Sequence, residues 1–150
     1  MKDRLKFRVW NKNRKRMYEV LHLHMETWSN GGEWVTAKGF NIITQQDIHI
    51  QIEPKDGIIM QYTGLKDKNG KLIYEGDIIQ FYNDEFLQTM KIVWDDDELD
   101  FKAIGLKKSV ECYEKDFSYL GYIKNEDSLE VIGNIYENPE LLEVKNDRQN

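Results

Sequence analysis

Residues 59–79 read IMQYTGLKDKNGKLIYEGDII, and this stretch decides the fold. Ile59–Thr63 and Leu72–Tyr74 are rich in β-branched and aromatic residues, and a polar segment separates them, as in two strands joined by a turn. The Asn69-Gly70 pair in that segment is typical of a type I′ turn, in which both central residues need positive φ. The stretch therefore predicts an antiparallel β-hairpin.

Apolar segments continue along the chain at the short spacing of an all-β protein. Regular short strands of this kind favour a small barrel. We therefore predict a five- or six-stranded SH3-like β-barrel over residues 59–142, with one helical turn after Pro139 and a flexible tail at 143–150. The further predicted strands are Ile78–Phe81, Met90–Trp94, Tyr119–Ile123 and Leu129–Tyr136.

Residues 1–58 form the predicted N-terminal part, which we expect to be mainly β with little helix. Hydrophobic residues alternate at Phe7 and Val9, a basic polar segment follows, and the apolar pattern resumes at Met17. This arrangement predicts an N-terminal β-hairpin. From residue 22 to 55 the pattern is weaker, so we expect an irregular extended region of short strands and long connections.

Charge is distributed unevenly along this chain of 150 residues. The net charge is −6, but residues 1–16 contain eight Lys or Arg and one Asp, which gives +7. The remaining 134 residues carry 13 Lys or Arg and 26 Asp or Glu, which gives −13. A basic end and an acidic body favour either an anionic ligand at the basic end or attraction between the two parts.

Cysteine content and hydropathy indicate the compartment. A single cysteine, Cys112, excludes an intramolecular disulfide and argues against a secreted disulfide scaffold. The N-terminus is charged and has no apolar run of signal-peptide length, and no stretch approaches about 18 consecutive apolar residues. We therefore expect a cytoplasmic protein without a membrane-spanning segment.

The candidate contact residues lie in the basic hairpin. Trp10 and Tyr18 are the aromatic residues nearest to the basic cluster, and small barrels bind single-stranded nucleic acid by stacking bases on aromatic rings in a basic groove. Docking of the hairpin on the acidic body of a neighbouring subunit is the favoured interpretation, because an acidic body repels phosphate. A solvated sheet edge is the structural alternative. The candidates are Arg8, Trp10, Lys12, Arg14, Lys15, Arg16 and Tyr18.

Metal sites are disfavoured. The acidic run from Asp95 to Glu98, followed by Asp100, offers carboxylate ligands for a hard cation. Adjacent residues on an extended chain point in opposite directions, however, and the spacing is not that of a calcium loop. His22 and His24 have the spacing of a shared strand face, and His49 is the only other histidine.

Catalytic motifs are also missing from the sequence. It contains no glycine-rich phosphate-binding motif and no nucleophile-elbow motif. Cys112 has acidic neighbours, which disfavour its thiolate form. We therefore predict a protein that is not an enzyme and has no cofactor and no metal, with a metal-dependent enzyme as the third and least favoured hypothesis.

The long motif at 59–79 resembles the signature of the YopX family of phage and prophage proteins. Residues 6–18 are similar to the opening of that family, and residues 130–142 are similar to its close. The resemblance implies a mostly β protein of phage or prophage origin in a bacterial host, with self-assembly and no agreed activity. Together with the opposite charges of the two parts of the chain, this favours an interaction module that forms a homo-oligomer and then binds a host or phage protein.

The resemblance supplies no catalytic residues to carry over. Glycines stand where turns need them, and aromatic residues alternate with polar ones as in half-buried strands, so a folding role accounts for the motif. If the motif has a chemical role, the best candidates are Tyr62, Tyr74, Glu75 and Asp77.

Overall fold

The computed structural model describes residues 5–24, 34–41, 44–83, 86–106, 117–123 and 127–142. Strands dominate these residues, and helix is confined to two turns of four residues each, as predicted. The chain divides into two compact units, Met1–Tyr62 and Thr63–Asn150. The predicted domain limit lies four residues earlier, between residues 58 and 59, and the predicted tail at 143–150 lies outside the described residues.

The first unit is an antiparallel sheet in the order β4-β3-β2-β1-β5. The predicted N-terminal hairpin is confirmed, because Val9 pairs with Tyr18 and Trp10 pairs with Met17. β1 is an interior strand, since it also pairs with the start of β5. The strand bounds are β1 Phe7–Asn11, β2 Arg16–His24, β3 Trp34–Asn41, β4 Gln46–Ile52 and β5 Gly57–Lys66.

β3 and β4 occupy the region where we expected irregular chain. They form a regular antiparallel pair from Val35, opposite Ile52, to Asn41, opposite Gln46. The physical reason is the alternation of isoleucines in β4, which buries Ile50 and Ile52 against one face. The buried core of this unit consists of Val9, Tyr18, Val35, Ala37, Ile50 and Ile52.

The second unit contains a five-stranded antiparallel sheet in the order β10-β9-β8-β7-β11. β6 is the neighbour of β5 in its sheet. The strands of the second unit, in chain order, are β6 Leu72–Tyr74, β7 Asp77–Asn83, β8 Phe86–Asp95, β9 Asp100–Gly105, β10 Phe117–Tyr119 and β11 Glu130–Asn134. The strand pairs within the described ranges form open sheets, so the predicted SH3-like barrel is not confirmed.

Two short helical turns complete the second unit. The strand predicted at Tyr119–Ile123 is instead mostly the helical turn α1, Leu120–Ile123, because residues three apart on a helix share a face and Leu120 and Ile123 both enter the core. A 3₁₀ turn spans Pro139–Leu142, as predicted. The main buried core residues are Ile73, Ile79, Phe81, Met90, Ile92, Phe101, Ala103, Leu129 and Val131. No helix in the described ranges is long and apolar enough to cross a membrane.

The turn between β5 and β6 depends on the buried side chain of Asp67, which is 7% exposed. Its Oδ1 accepts hydrogen bonds from the backbone N–H groups of Asn69 (2.8 Å) and Lys71 (2.9 Å). Its Oδ2 accepts one from Val131 in β11 (3.1 Å). The Asp67 carboxylate therefore links the turn to β11.

The predicted type I′ turn is wrong in its geometry. Only Gly70 has a positive φ, of 80°, and its N–H donates to the carbonyl of Asp67 (2.9 Å). Asn69 keeps a negative φ, since the Asp67 carboxylate holds its N–H in a different turn with the glycine at the end. The position of the turn was predictable, whereas its type was not.

We predict that Asp67→Asn lowers the free energy of unfolding at neutral pH by roughly 2 kcal/mol. An amide presents an NH₂ group to one of the N–H donors that now face a carboxylate oxygen. Urea unfolding measures the change, and Asp127→Asn, at an exposed position, is the matched control.

The same pair of proteins should show a defined pH dependence. Burial alone would raise the pKa of Asp67, but hydrogen bonds from the N–H groups of Val131, Lys71 and Asn69 hold this pKa below its ordinary value. The resulting stabilisation is present above the unfolded pKa of about 4 and is lost as the pH falls through the folded pKa. The difference between wild type and Asp67→Asn should therefore shrink in acid, and a difference that grows would contradict this account.

Candidate functional site

The basic turn, residues 12–16, joins β1 to β2. Asn11 is buried, and its Oδ1 accepts the N–H groups of Asn13 (3.0 Å) and Arg14 (2.9 Å). Lys15 closes the turn with φ of 51°. Asparagine in this turn therefore acts through its side-chain oxygen, and a lysine takes the positive φ.

A second set of bonds holds the basic turn in place. The N–H of Lys12 donates to the carbonyl of Asp56 (2.8 Å), and its Nζ donates to the carbonyl of Lys55 (3.0 Å). Lys55 pairs with Glu53 (2.7 Å), and this hydrogen bond raises the pKa of Lys55. The turn is thus anchored at its base while its charged side chains face solvent.

Four of the seven predicted contact residues are exposed together in this turn. They are Lys12, Arg14, Lys15 and Arg16. None of the four forms an ion pair with another residue in the described part of the chain. The turn therefore presents concentrated positive charge.

The predicted aromatic contacts are not available for stacking. Trp10 is 7% exposed and Tyr18 is 9% exposed, so neither ring has an open face for a nucleic-acid base. Arg8 is only half-buried, and the guanidinium of Arg16 lies 5.9 Å from the centre of the Tyr18 ring. Trp10 lies in β1, between β2 and β5, and its side chain is buried, contrary to the exposure that stacking on a base would need.

A groove of about 270 Å³ lies beside the basic turn, in the first unit. We call it the β2–β4 groove. Its positive charges come from Arg14, Arg16 and Lys38, and Lys38 lies 3.4 Å from the Asp47 carboxylate. The remaining lining residues are Met17, Tyr18, Glu19, Gly39, Ile48 and Ile50.

Sequence reasoning missed half of this groove. Lys38 and Gly39 lie in β3, and Ile48 and Ile50 lie in β4, in the region where we expected irregular chain. Gly39 leaves room for Ile50, because a Cβ at this position would lie 2.4 Å from Cδ1 of Ile50 and that side chain would have to shift. The alternation of isoleucines was the available signal for β4.

The acidic turn, residues 95–100, joins β8 to β9 in the second unit. Asp95 Oδ1 accepts the N–H groups of Asp97 (3.0 Å) and Glu98 (2.9 Å), and Leu99 closes the turn with φ of 54°. The paired ends are Asp95 and Asp100. This geometry repeats that of the basic turn, where Asn11 and Lys15 hold the same relative positions.

Lys102 neutralises part of the acidic turn. Its side chain is 8% exposed, and its Nζ lies 2.6 Å from Asp95 Oδ2 and 3.1 Å from Glu98 Oε1. The hydrogen bond from Lys102 lowers the pKa of Asp95, and the same bond raises the pKa of Lys102. Asp96, Asp97 and Asp100 remain exposed, so the turn keeps a negative surface.

Metal-ligand geometry is not present in the described ranges. No three His, Cys, Asp or Glu residues there are placed to hold a metal ion. The ammonium group of Lys102 lies where a cation would meet Asp95 and Glu98. His22 and His49 are exposed, whereas Cys112 and the side chain of His24 lie outside the described part of the chain.

The motif residues considered for a chemical role have structural positions. Tyr62 and Asp77 are buried, and Asp77 Oδ2 accepts the N–H of Tyr74 (2.8 Å) across a turn whose Gly76 has φ of 78°. Glu75 lies in this turn and is half-buried. Asp77 therefore closes the turn that leads into β7.

These features define a class: a mainly antiparallel β protein of two small units whose charged surfaces lie on hairpin turns. A family model described as YopX protein matches residues 6–143. The chain belongs to this family, which confirms the prediction made from residues 59–79.

Two solved structures are similar to the chain. The crystal structure of protein EF1440 from Enterococcus faecalis is 28% identical to this chain. The match covers 92% of this chain and 97% of the EF1440 chain, with a TM-score of 0.57. The crystal structure of protein yopX from Bacillus subtilis is 23% identical to this chain. The match covers 93% of this chain and 99% of the yopX chain, with a TM-score of 0.58. The second likeness shows the fold alone. No curated protein matches the chain.

We predict that Lys102→Met raises the pKa of Asp95 toward its ordinary value and lowers the melting temperature at neutral pH. Methionine keeps the buried aliphatic stem but removes the cation that pairs with Asp95 and Glu98. The pKa is read from the side-chain carboxyl ¹³C shift of Asp95 during a pH titration.

The difference in stability between wild type and Lys102→Met should be confined to a defined pH range. The lowered pKa of Asp95 means that stabilisation is lost as the pH falls through it, and the raised pKa of Lys102 means that stabilisation is lost as the pH rises through it. Lys66→Met, at an exposed position in β5, is the control. An unchanged Asp95 titration in Lys102→Met would refute the pairing.

Proposed function

We propose that this protein is a non-enzymatic interaction module of phage or prophage origin that acts in the cytoplasm of a bacterial host. In this proposal it self-associates and also binds a host or phage protein. The observation that carries the proposal is the pair of oppositely charged hairpin turns, one in each unit, that share one backbone design.

Rigidity of the two turns supports a role in binding. Each turn is closed by a side-chain oxygen at its start and a left-handed residue at its end. Its charged side chains therefore sit on an ordered backbone, and association need not order a loop. Four exposed cations on the basic turn complement the exposed carboxylates of the acidic turn, of which Asp96, Asp97 and Asp100 are not paired with Lys102.

The small free energy of an exposed ion pair determines how this proposal must be tested. An exposed ion pair contributes about 0.2–1 kcal/mol, so a single substitution would change association only slightly. Several pairs acting together give a measurable affinity and a strong preference for one partner surface. Reversal of several charges at once is therefore required.

Nucleic acid is the second candidate partner. The concentration of Lys12, Arg14, Lys15 and Arg16 in five residues favours phosphate binding. The burial of Trp10 and Tyr18 removes the stacking contribution, and the acidic body opposes the approach of a polyanion. These observations favour a protein partner, with a second copy of the chain as the first one to test.

We expect Lys12→Glu/Arg14→Glu/Lys15→Glu and Asp96→Lys/Asp97→Lys each to behave as monomers of 17.9 kDa in light scattering. Each variant brings like charges together on two copies of itself. An equimolar mixture should regain a larger mass, because the reversed turn of one variant then meets the reversed turn of the other.

Controls separate this result from misfolding and from nucleic-acid binding. Circular dichroism should show an unchanged fold in both variants, since all five positions are exposed turn residues. Wild type that is monomeric throughout, or a mixture that gains no mass, would reject self-association. If the variants still self-associate but no longer raise the fluorescence anisotropy of a labelled oligonucleotide, the result would instead support nucleic acid as the partner.

A further inference from the structure

The β2–β4 groove has two kinds of wall. Arg14, Arg16 and Lys38 line the groove with positive charge, and Ile48 and the largely buried Ile50 add aliphatic surface. Two carboxylates also line it: Asp47 pairs with Lys38 (3.4 Å), which leaves Arg14 and Arg16 beside the single carboxylate of Glu19. A ligand that satisfies both walls needs an anionic group beside an aliphatic one. The guanidinium groups favour a carboxylate in particular, because their planar donors match its two oxygens.

The chain itself carries a segment of that chemistry in the acidic turn. Leu99 is 72% exposed and follows Asp97 and Glu98 directly. Asp97 is exposed and forms no ion pair with another described residue. The segment therefore presents an available carboxylate and an aliphatic side chain within three residues.

Leu99 is an unfavourable choice for the fold. Its φ of 54° lies in the left-handed region, where asparagine and glycine are preferred and most other residues are strained. Its exposure means that it contributes little to the core. Its aliphatic side chain is therefore available to a contact outside its own subunit.

We propose that the β2–β4 groove of one copy receives the acidic turn of a second copy, with Asp97 at Arg14 and Arg16 and Leu99 against Ile48 and Ile50. This inference rests on the proposed self-association and specifies its binding site. Charge complementarity selects the occupant, and the aliphatic contact fixes which part of the acidic turn enters the groove.

The basic turn offers a matched pair of variants. Arg14→Gln/Arg16→Gln and Lys12→Gln/Lys15→Gln each remove two charges from the same turn, but only the first pair lines the groove. We expect the first pair to raise the dissociation constant of self-association about tenfold or more and the second pair to raise it less than about threefold. Sedimentation velocity of the full chain measures both.

Leu99→Asn tests the aliphatic contact because it should increase the stability of the fold and decrease the affinity of self-association. Asparagine tolerates the left-handed conformation, so the melting temperature should rise by about 1–3 °C. The dissociation constant should nevertheless rise about fivefold or more, because the aliphatic side chain is lost. A variant that is simply less stable would have a lower melting temperature and would not show this combination.

The outcomes separate the groove from the broader proposal. Equal weakening by both glutamine pairs, or an unchanged dissociation constant in Leu99→Asn, would overturn the groove and leave charge-driven self-association intact. No weakening by any of the variants would overturn both. Selective weakening by Arg14→Gln/Arg16→Gln and by Leu99→Asn supports the groove as the binding site.

Discussion

Side-chain oxygens that accept two backbone N–H groups hold the hairpin turns on which the described structure depends. Asn11, Asp67 and Asp95 each begin a turn and satisfy two amides that the strand ladder cannot reach. A buried or half-buried amide without an acceptor costs about 1–3 kcal/mol. Turn geometry in turn sets strand register, and a slip of one residue would turn every core side chain of a strand to the other face.

Asp67 differs from the other two because its second oxygen accepts a backbone N–H from a strand outside its own hairpin. The bond to Val131 and the bond from Lys68 N–H to the Leu129 carbonyl (2.8 Å) join the β5–β6 turn to β11. The buried residues Leu129 and Val131 then complete the core of the second unit. The basic turn is held instead through Lys12, which donates to the carbonyls of Lys55 and Asp56. The outer residues of the basic and acidic turns carry charge.

Local patterns predicted the parts of the fold that local interactions determine. Alternation revealed the N-terminal hairpin, and Asn69-Gly70 correctly marked the position of the β5–β6 turn. The turn type was missed because the carboxylate of Asp67 determines it. The burial of Trp10 was missed because it depends on tertiary packing, which a local alternation pattern does not reveal. The β2–β4 groove needs the register of β3 and β4, in which Lys38 pairs with His49 and Gly39 pairs with Ile48, and no single segment encodes that.

The central claim is that two oppositely charged turns bring copies of this chain together, and salt tests it most directly. Exposed ion pairs weaken as ionic strength rises, because the screening length falls from about 10 Å at 0.1 M to about 3 Å at 1 M. Sedimentation velocity of the wild-type chain at low and high salt should therefore show a mass above 17.9 kDa that falls toward the monomer value as salt is added. A monomer at low salt, or an assembly whose mass is independent of salt, would contradict the account.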